Sequence, residues 1–282
     1  MCGDPSTLEG FQWLICYLST GKHQKFYMSF LVVIGLLIAV APLALAMGFG
    51  GALAKRSKIL PLRWLGSLYT NMVRGIPDLI FFLFVPIALD QLFEMIRHKI
   101  KCPEVTDPIY QGNDFVVCAA AKLPLGNADA WVHNVYGFVM ACIAFAIVFG
   151  AFAANTIDGA LRAVPEKQLE TARAYGMTER QTFWRVQLPQ MWGYALPGLS
   201  NLWMILVKAT PLLFLLGIED IVYWAKELGG FKSDRFDYPH PDWRAYYFAA
   251  LMVFYLLTTW VSEKFFIRLN QRVNVGRVGG EL

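Results

Sequence analysis

Charged side chains are what this sequence has least of: they make up 16% of its 282 residues, where a soluble chain carries about 25%. A surface so poor in charge cannot keep an ordinary globular domain in water. The shortage is also uneven, with no Asp, Glu, Lys or Arg from Phe26 to Leu53 or from Val135 to Ile157. Cysteine and histidine are scarce as well, at five and four, and no C-x-x-C or Cys/His cluster exists to hold a metal. No G-x-x-x-x-G-K-[ST] loop occurs, so the chain lacks the means to hydrolyse ATP itself. No Ser/His/Asp or Cys/His arrangement sits on consistent spans, so enzymatic chemistry has no support. Nucleic acid is not expected among the partners. Near the start, Asp4 and Glu9 precede any basic residue, and no short apolar region ends in small residues, so a cleavable signal peptide is not expected. The stretch Phe11–Ser19 is too short to span and reads as an interfacial helix or a packed cap on the bundle.

What is present is hydrophobic length. Apolar residues make up 56% of the chain, and its longest uncharged runs exceed the roughly 20 residues that cross about 30 Å of hydrocarbon. The expected fold is an all-α integral membrane protein with five transmembrane helices, at about 28–53, 67–92, 135–157, 192–218 and 245–262. The second span is the awkward one. Leu79 to Leu89 is uncharged but only about 16 Å long as a helix, so a single helix from near Ser67 is expected, taking in Arg74, Pro77 and Asp78. Residues 1–25 form a segment outside or at the interface, 26–272 the transmembrane domain, and 273–282 a tail.

Five spans place the termini on opposite sides. The loops that share a side with the C-terminus carry 14 Lys/Arg and the other set 10. The first loop packs Lys55, Arg56, Lys58 and Arg63 directly behind a span. The positive-inside rule then puts the N-terminus outside and the C-terminus in the cytoplasm. In that orientation Cys102 and Cys118 share one external loop. Either they form a disulfide in an oxidising compartment or they are two reduced thiols.

The same orientation makes "PEKQLETARAYGM", Pro165 to Met177, a cytoplasmic insert between spans three and four. Pro165 suits a first helical turn, Glu166 complements the dipole there, and Gly176 suits the left-handed residue past the helix end. Thr178 and Gln181 then form a capping box for a second short helix, which Pro189 ends or kinks. Leu169, Ala172 and Gly176 make a narrow face of small side chains. That face either receives a partner or packs on the protein's own helix ends.

The longer pattern, Glu170, Ala172, Gly176, Val186, Leu188 and Pro189, reads E-x-A-x3-G-x9-V-x-L-P. It resembles the EAA loop of the membrane subunits of ABC importers, usually E-A-A-x3-G-x9-I-x-L-P. In that family the loop is a coupling helix seated in a groove of the ATPase. "RGIP" (Arg74 to Pro77), "KATPLL" (Lys208 to Leu213) and "GIED" (Gly217 to Asp220) are similar to signatures of the polar amino acid permease branch. Asn155 and Asp158 stand where that family often has Glu and Arg.

The resemblance implies a multi-pass permease of the bacterial inner membrane that translocates polar amino acids, basic or opine-like ones foremost. It implies an ATPase dimer on the cytoplasmic side, a second permease subunit, a periplasmic solute-binding protein and membrane lipid as partners. No cofactor would be bound by this chain; ATP and Mg would sit on the partner ATPase. Coupling would fall to Pro165, Leu169, Glu170, Ala172, Gly176 and Met177. Arg74, Asp78, Asn155, Lys208 and Thr210 would border the substrate path. For Lys208 a second reading stands beside this one, a buried pair with Asp90 that only fixes the bundle. For Asp78 it is a pair with Arg74 four residues back on the same helix. Glu219 to Gly230 is expected to lie on the membrane surface as an external helix, with Ile221, Trp224 and Leu228 on one face. The alternative class, a stand-alone channel or secondary transporter, would show inverted repeats, and none is evident.

Overall fold

The computed structural model describes residues 10–105, 110–111, 114–123, 128–216 and 218–274. The described chain is almost entirely helical. In order, it forms α1 (Gly10–Leu18), α2 (Gly21–Lys55), α3 (Leu60–Gly75), α4 (Asp78–Lys101), α5 (Ala130–Ala163), α6 (Glu166–Ala174), α7 (Glu179–Thr182), α8 (Leu188–Ala209), α9 (Ile221–Gly229) and α10 (Arg244–Asn274). A minimal antiparallel pair, β1 (Tyr110–Gln111) with β2 (Asp114–Phe115), lies between α4 and α5. Among the described residues, five helices are long and apolar enough to cross a membrane: Gly21–Lys55, Leu79–Lys101, Trp131–Ala163, Glu179–Phe214 and Arg244–Val273.

α5 is the central helix, packed on α2, α8, α4 and α3. It can be central because its contact face is small. A Cβ on Gly48 of α2 would sit 2.7 Å from the Ala153 Cβ, and one on Gly150 would sit 2.7 Å from the Met47 Cβ. The buried Ala52, Ala151 and Ala154 continue the seam. In lipid, where apolar side chains gain nothing by leaving their solvent, close backbone approach of this kind drives helix association. The larger core cluster is rich in aromatics, with Phe26, Phe82, Phe145 and Trp224 among its buried members. α10 is peripheral and turns Met252, Leu256, Trp260 and Phe265 outward.

The second span differs from the expected single helix starting near Ser67. The chain breaks at Ile76, which is extended (φ −117°, ψ 136°), because a residue before proline is forced away from the helical region. Pro77 then caps α4, which gains its length at the far end, through Lys101. Arg74 therefore ends α3 and Asp78 starts α4, so their four-residue spacing is not a helical one; both side chains lie outside the described structure.

One further expectation changes, and one pair of alternatives resolves. α9 does not lie on the membrane: Ile221, Trp224 and Leu228 are buried, with the helix packed on α2 and α10. α1 takes the packed-cap form, its buried Tyr17 donating a hydroxyl bond of 3.1 Å to the Leu228 carbonyl at the end of α9.

Candidate functional site

The charged insert folds as two short helices around one sharp corner. α6 starts after Pro165 and runs only nine residues. Its end is a Schellman closure: Met177 N–H reaches the Ala172 carbonyl at 3.1 Å and Gly176 N–H the Arg173 carbonyl at 2.9 Å. That geometry needs a residue at positive φ, and Gly176 supplies it at +83°. Thr178 then caps α7, its Oγ1 accepting from Gln181 N–H at 3.3 Å while the Gln181 Oε1 accepts from Thr178 N–H at 2.9 Å. Arg173 staples the two helices together from outside, 3.1 Å from Glu166 and 2.9 Å from Glu179. Its partner is thus not Glu170, its nearer neighbour on the helix.

α7 passes into α8 through a π-helical turn, Phe183–Gln187. Pro189 sits at the start of α8, and it neither ends nor breaks the helix. A proline lacks the N–H that would bond the carbonyl four residues back, and the wider turn before it absorbs the mismatch. Gln187 reaches across to the Leu161 carbonyl at 3.0 Å, fastening this turn to the end of α5.

The small face of α6 divides. Leu169 and Ala172 are buried, with Leu169 packed among Ala52, Ile157, Leu161, Val164 and Met191. Of the two readings of that face, the structure takes packing on the protein's own helix ends for these residues. What remains outward is Glu170, Gly176 and Tyr175, which is 84% exposed. None of the described residues lies within 4 Å of where a Gly176 Cβ would be. The sequence reading missed Tyr175; an aromatic at a helix end with no apolar partner in register was the available signal.

The residues expected along a substrate path do not gather in one place. Asn155 lies at the α6 end of the bundle, its Oδ1 accepting from Lys55 Nζ at 3.0 Å. Lys208 is at the opposite end of α8, two residues before that helix tightens into a 3-10 segment, Thr210–Leu216. It lies nearer the end of its span than the centre. Lys208 lines an apolar cavity of about 580 Å³ with Pro211, Val222, Phe248, Tyr255 and Thr259. Among the described residues it makes no ion pair. Asp90 takes the Tyr136 hydroxyl instead, so the alternative Lys208–Asp90 pair is not formed. Thr210 is buried and structural, 2.9 Å from the Val207 carbonyl and 2.9 Å from the Tyr255 hydroxyl.

On the α1 side, Asp220 caps α9 through Oδ1, which accepts from Val222 N–H at 3.1 Å and Tyr223 N–H at 2.9 Å. Burial pushes its carboxyl up to about 6, against the opposing effect of those N–H bonds. Cys102 and Cys118 are joined in a disulfide, with Cα atoms 6.7 Å apart. The strap they close is also fastened to α4 directly. The buried Glu94 accepts from Leu123 N–H at 2.8 Å and Lys122 Nζ at 3.2 Å, and His98 Nδ1 accepts from Cys118 N–H at 2.9 Å. The described residues hold no cluster of metal-ligating side chains.

Known proteins resemble this arrangement over most of its length. The histidine/lysine/arginine/ornithine transport system permease protein HisQ of Salmonella typhimurium is 31% identical over 248 residues, 87% of this chain and 92% of that protein. The arginine ABC transporter permease protein ArtQ of Escherichia coli is 28% identical over 241 residues, 86% of this chain and 91% of that protein. The fold matches a chain of the crystal structure of an amino acid ABC transporter with histidines at TM-score 0.62 and 20% identity, over 94% of this chain and 100% of that one. Residues 42–275, from within α2 past the end of α10, match the binding-protein-dependent transport system inner membrane component. The chain belongs to that family, as a membrane-embedded permease subunit.

Proposed function

We propose that this permease subunit imports polar amino acids, basic ones foremost, from periplasm to cytoplasm by alternating access. A solute-binding protein delivers substrate at the α1 end. A pair of cytoplasmic ATPases, holding ATP and Mg, docks at the α6–α7 corner, and a second permease subunit completes the pathway. The chain sits in a bacterial inner membrane with its N-terminus outside, and residues 26–272 form the transmembrane domain. The substrate class is supported by the names of HisQ and ArtQ, which handle histidine, lysine, arginine and ornithine, or arginine. The orientation is supported by the cations of the first loop, and by a disulfide at the end of the bundle away from them. Lys208, beside a cavity and without an ion pair among the described residues, is proposed to border the substrate path and to meet a substrate carboxylate there.

The observation that carries the coupling role is the corner itself. α6 is anchored by Leu169 and Ala172, closed by Gly176, and presents Glu170, Tyr175 and open space above Gly176. Gly176→Asp tests it, because Asp tolerates a left-handed backbone better than most residues and none of the described residues lies within 4 Å of its Cβ. Membrane insertion should be normal while uptake and stimulated ATP hydrolysis fall together. Unchanged uptake would remove the coupling role, and transport by the purified chain alone would point to a stand-alone carrier. Competition of labelled arginine uptake by glutamine and glutamate sorts the substrate; strong inhibition by glutamate would overturn the preference for bases.

A further inference from the structure

The end of the bundle beside α6 carries more positive charge than its own carboxylate can use. Asp158, buried near the end of α5, is 3.0 Å from Arg162 Nη2, 3.6 Å from Lys55 Nζ and 3.8 Å from Arg56 Nη1. Three cations thus share one anion, leaving an excess of two positive charges, and Lys58 and Arg63 add to it a few residues along. Arg162 keeps most of its guanidinium exposed, at 68% of the side chain. Asn155 contributes a second, independent sign. Its Oδ1 is taken by Lys55, while its Nδ2 is buried with no acceptor among the described residues. A buried donor left unmade costs on the order of 1–3 kcal/mol, and the charge excess beside it suits an anion and not a further cation.

The surroundings say which kind. The cluster lies at the terminal residues of two membrane spans, Gly21–Lys55 and Trp131–Ala163. Directly beside it α3 doubles back against the end of α2, close enough that a Gly66 Cβ would touch Lys55 N at 2.8 Å. That helix exposes Ile59, Leu60, Trp64 and Leu65, an apolar ledge bordering a basic one. Guanidinium forks match phosphate oxygens, and basic pockets between span ends beside apolar surface take anionic lipid headgroups. The geometry points to a phosphate-binding site formed by Lys55, Arg56 and Arg162, occupied by the headgroup of an anionic phospholipid whose acyl chains lie along α3.

The inference does not depend on the coupling role. Its test uses the full chain, purified with its native subunits and placed in nanodiscs of phosphatidylglycerol and phosphatidylcholine with matched acyl chains. Lipids retained on release are counted by native mass spectrometry. Wild type should hold phosphatidylglycerol in preference. Arg56→Gln with Arg162→Gln should cut that retention by on the order of tenfold or more, while Lys226→Gln with Arg235→Gln, which removes the same charge at the α1 end, should not. Equal retention by wild type and the first pair overturns the site. Displacement of the lipid by inorganic phosphate alone, with phosphate then bound in its place, makes it a site for a free anion and overturns the lipid assignment.

Discussion

Asp220 shows what one side chain can do to the pH response of a helix. Its folded carboxyl titrates at about 6 against an ordinary 3.8. Below about pH 4 both folded and unfolded chains hold the proton. From there to about 6 the folded state keeps a proton that the unfolded state has lost, so local stability falls as pH rises, and above 6 the deficit is constant. Hydrogen exchange at α9, corrected for intrinsic rate, should therefore lose protection between pH 4 and 6. Asp220→Asn keeps a capping oxygen without a charge to bury; its profile should be flat, and better protected than wild type at pH 7. Asp220→Ala should instead lose about 1 kcal/mol of cap at every pH. At Gly176 the cost is conformational: Ala there must adopt φ +83°, which costs about 1–2 kcal/mol. Amide exchange at Met177 and Thr178 should rise in that variant while the bundle's exchange stays unchanged.

Among the elements, the α2–α5 seam is the least forgiving. A side chain at Gly48 or Gly150 meets Cβ atoms of the opposite helix at 2.7 Å, and overpacking of this kind costs about 1–3 kcal/mol. Gly48→Leu and Gly150→Leu should reduce the monodisperse fraction in size-exclusion chromatography. Gly35→Leu, whose nearest neighbour is a Phe138 ring edge at 4.0 Å, should not. Elements of this sort were readable in the sequence when their cause was local. Two spans announced themselves as uncharged runs, and Pro165, Gly176 and the Thr178–Gln181 box fixed α6 and α7. The reading went astray where a distant contact or a single backbone preference decided. Ile76 bends because of the residue after it, against a hydrophobic pattern that asked for a continuous helix. The face of Leu169 and Ala172 turned inward because the ends of α2 and α5 lie there, which no periodicity within α6 can reveal.

For the whole molecule, orientation is the property with the most direct readout. In the proposed arrangement the α6–α7 corner faces the cytoplasm and the loop after α9 faces out. Tyr175→Cys and Phe231→Cys, both at exposed positions, should then label oppositely with an impermeant maleimide. In intact cells only the second should react, and permeabilisation should expose the first. The reverse pattern would invert the molecule and move the proposed ATPase contact to the wrong side. α10 carries the other molecular-scale consequence. Its outward row of Met252, Leu256, Trp260 and Phe265 is covered by none of the described residues, as suits a subunit that borders lipid or a second permease.

The strap between α4 and α5 closes twice, once through sulfur and once through Glu94, Arg97 and His98, which hold residues 118–123 without it. Two latches in parallel behave as a logical conjunction: the strap comes free only when both are open at the same moment. A reductant should therefore leave it seated and resistant to protease, and so should Glu94→Gln while the disulfide is intact. Applied together, they should expose it to cleavage.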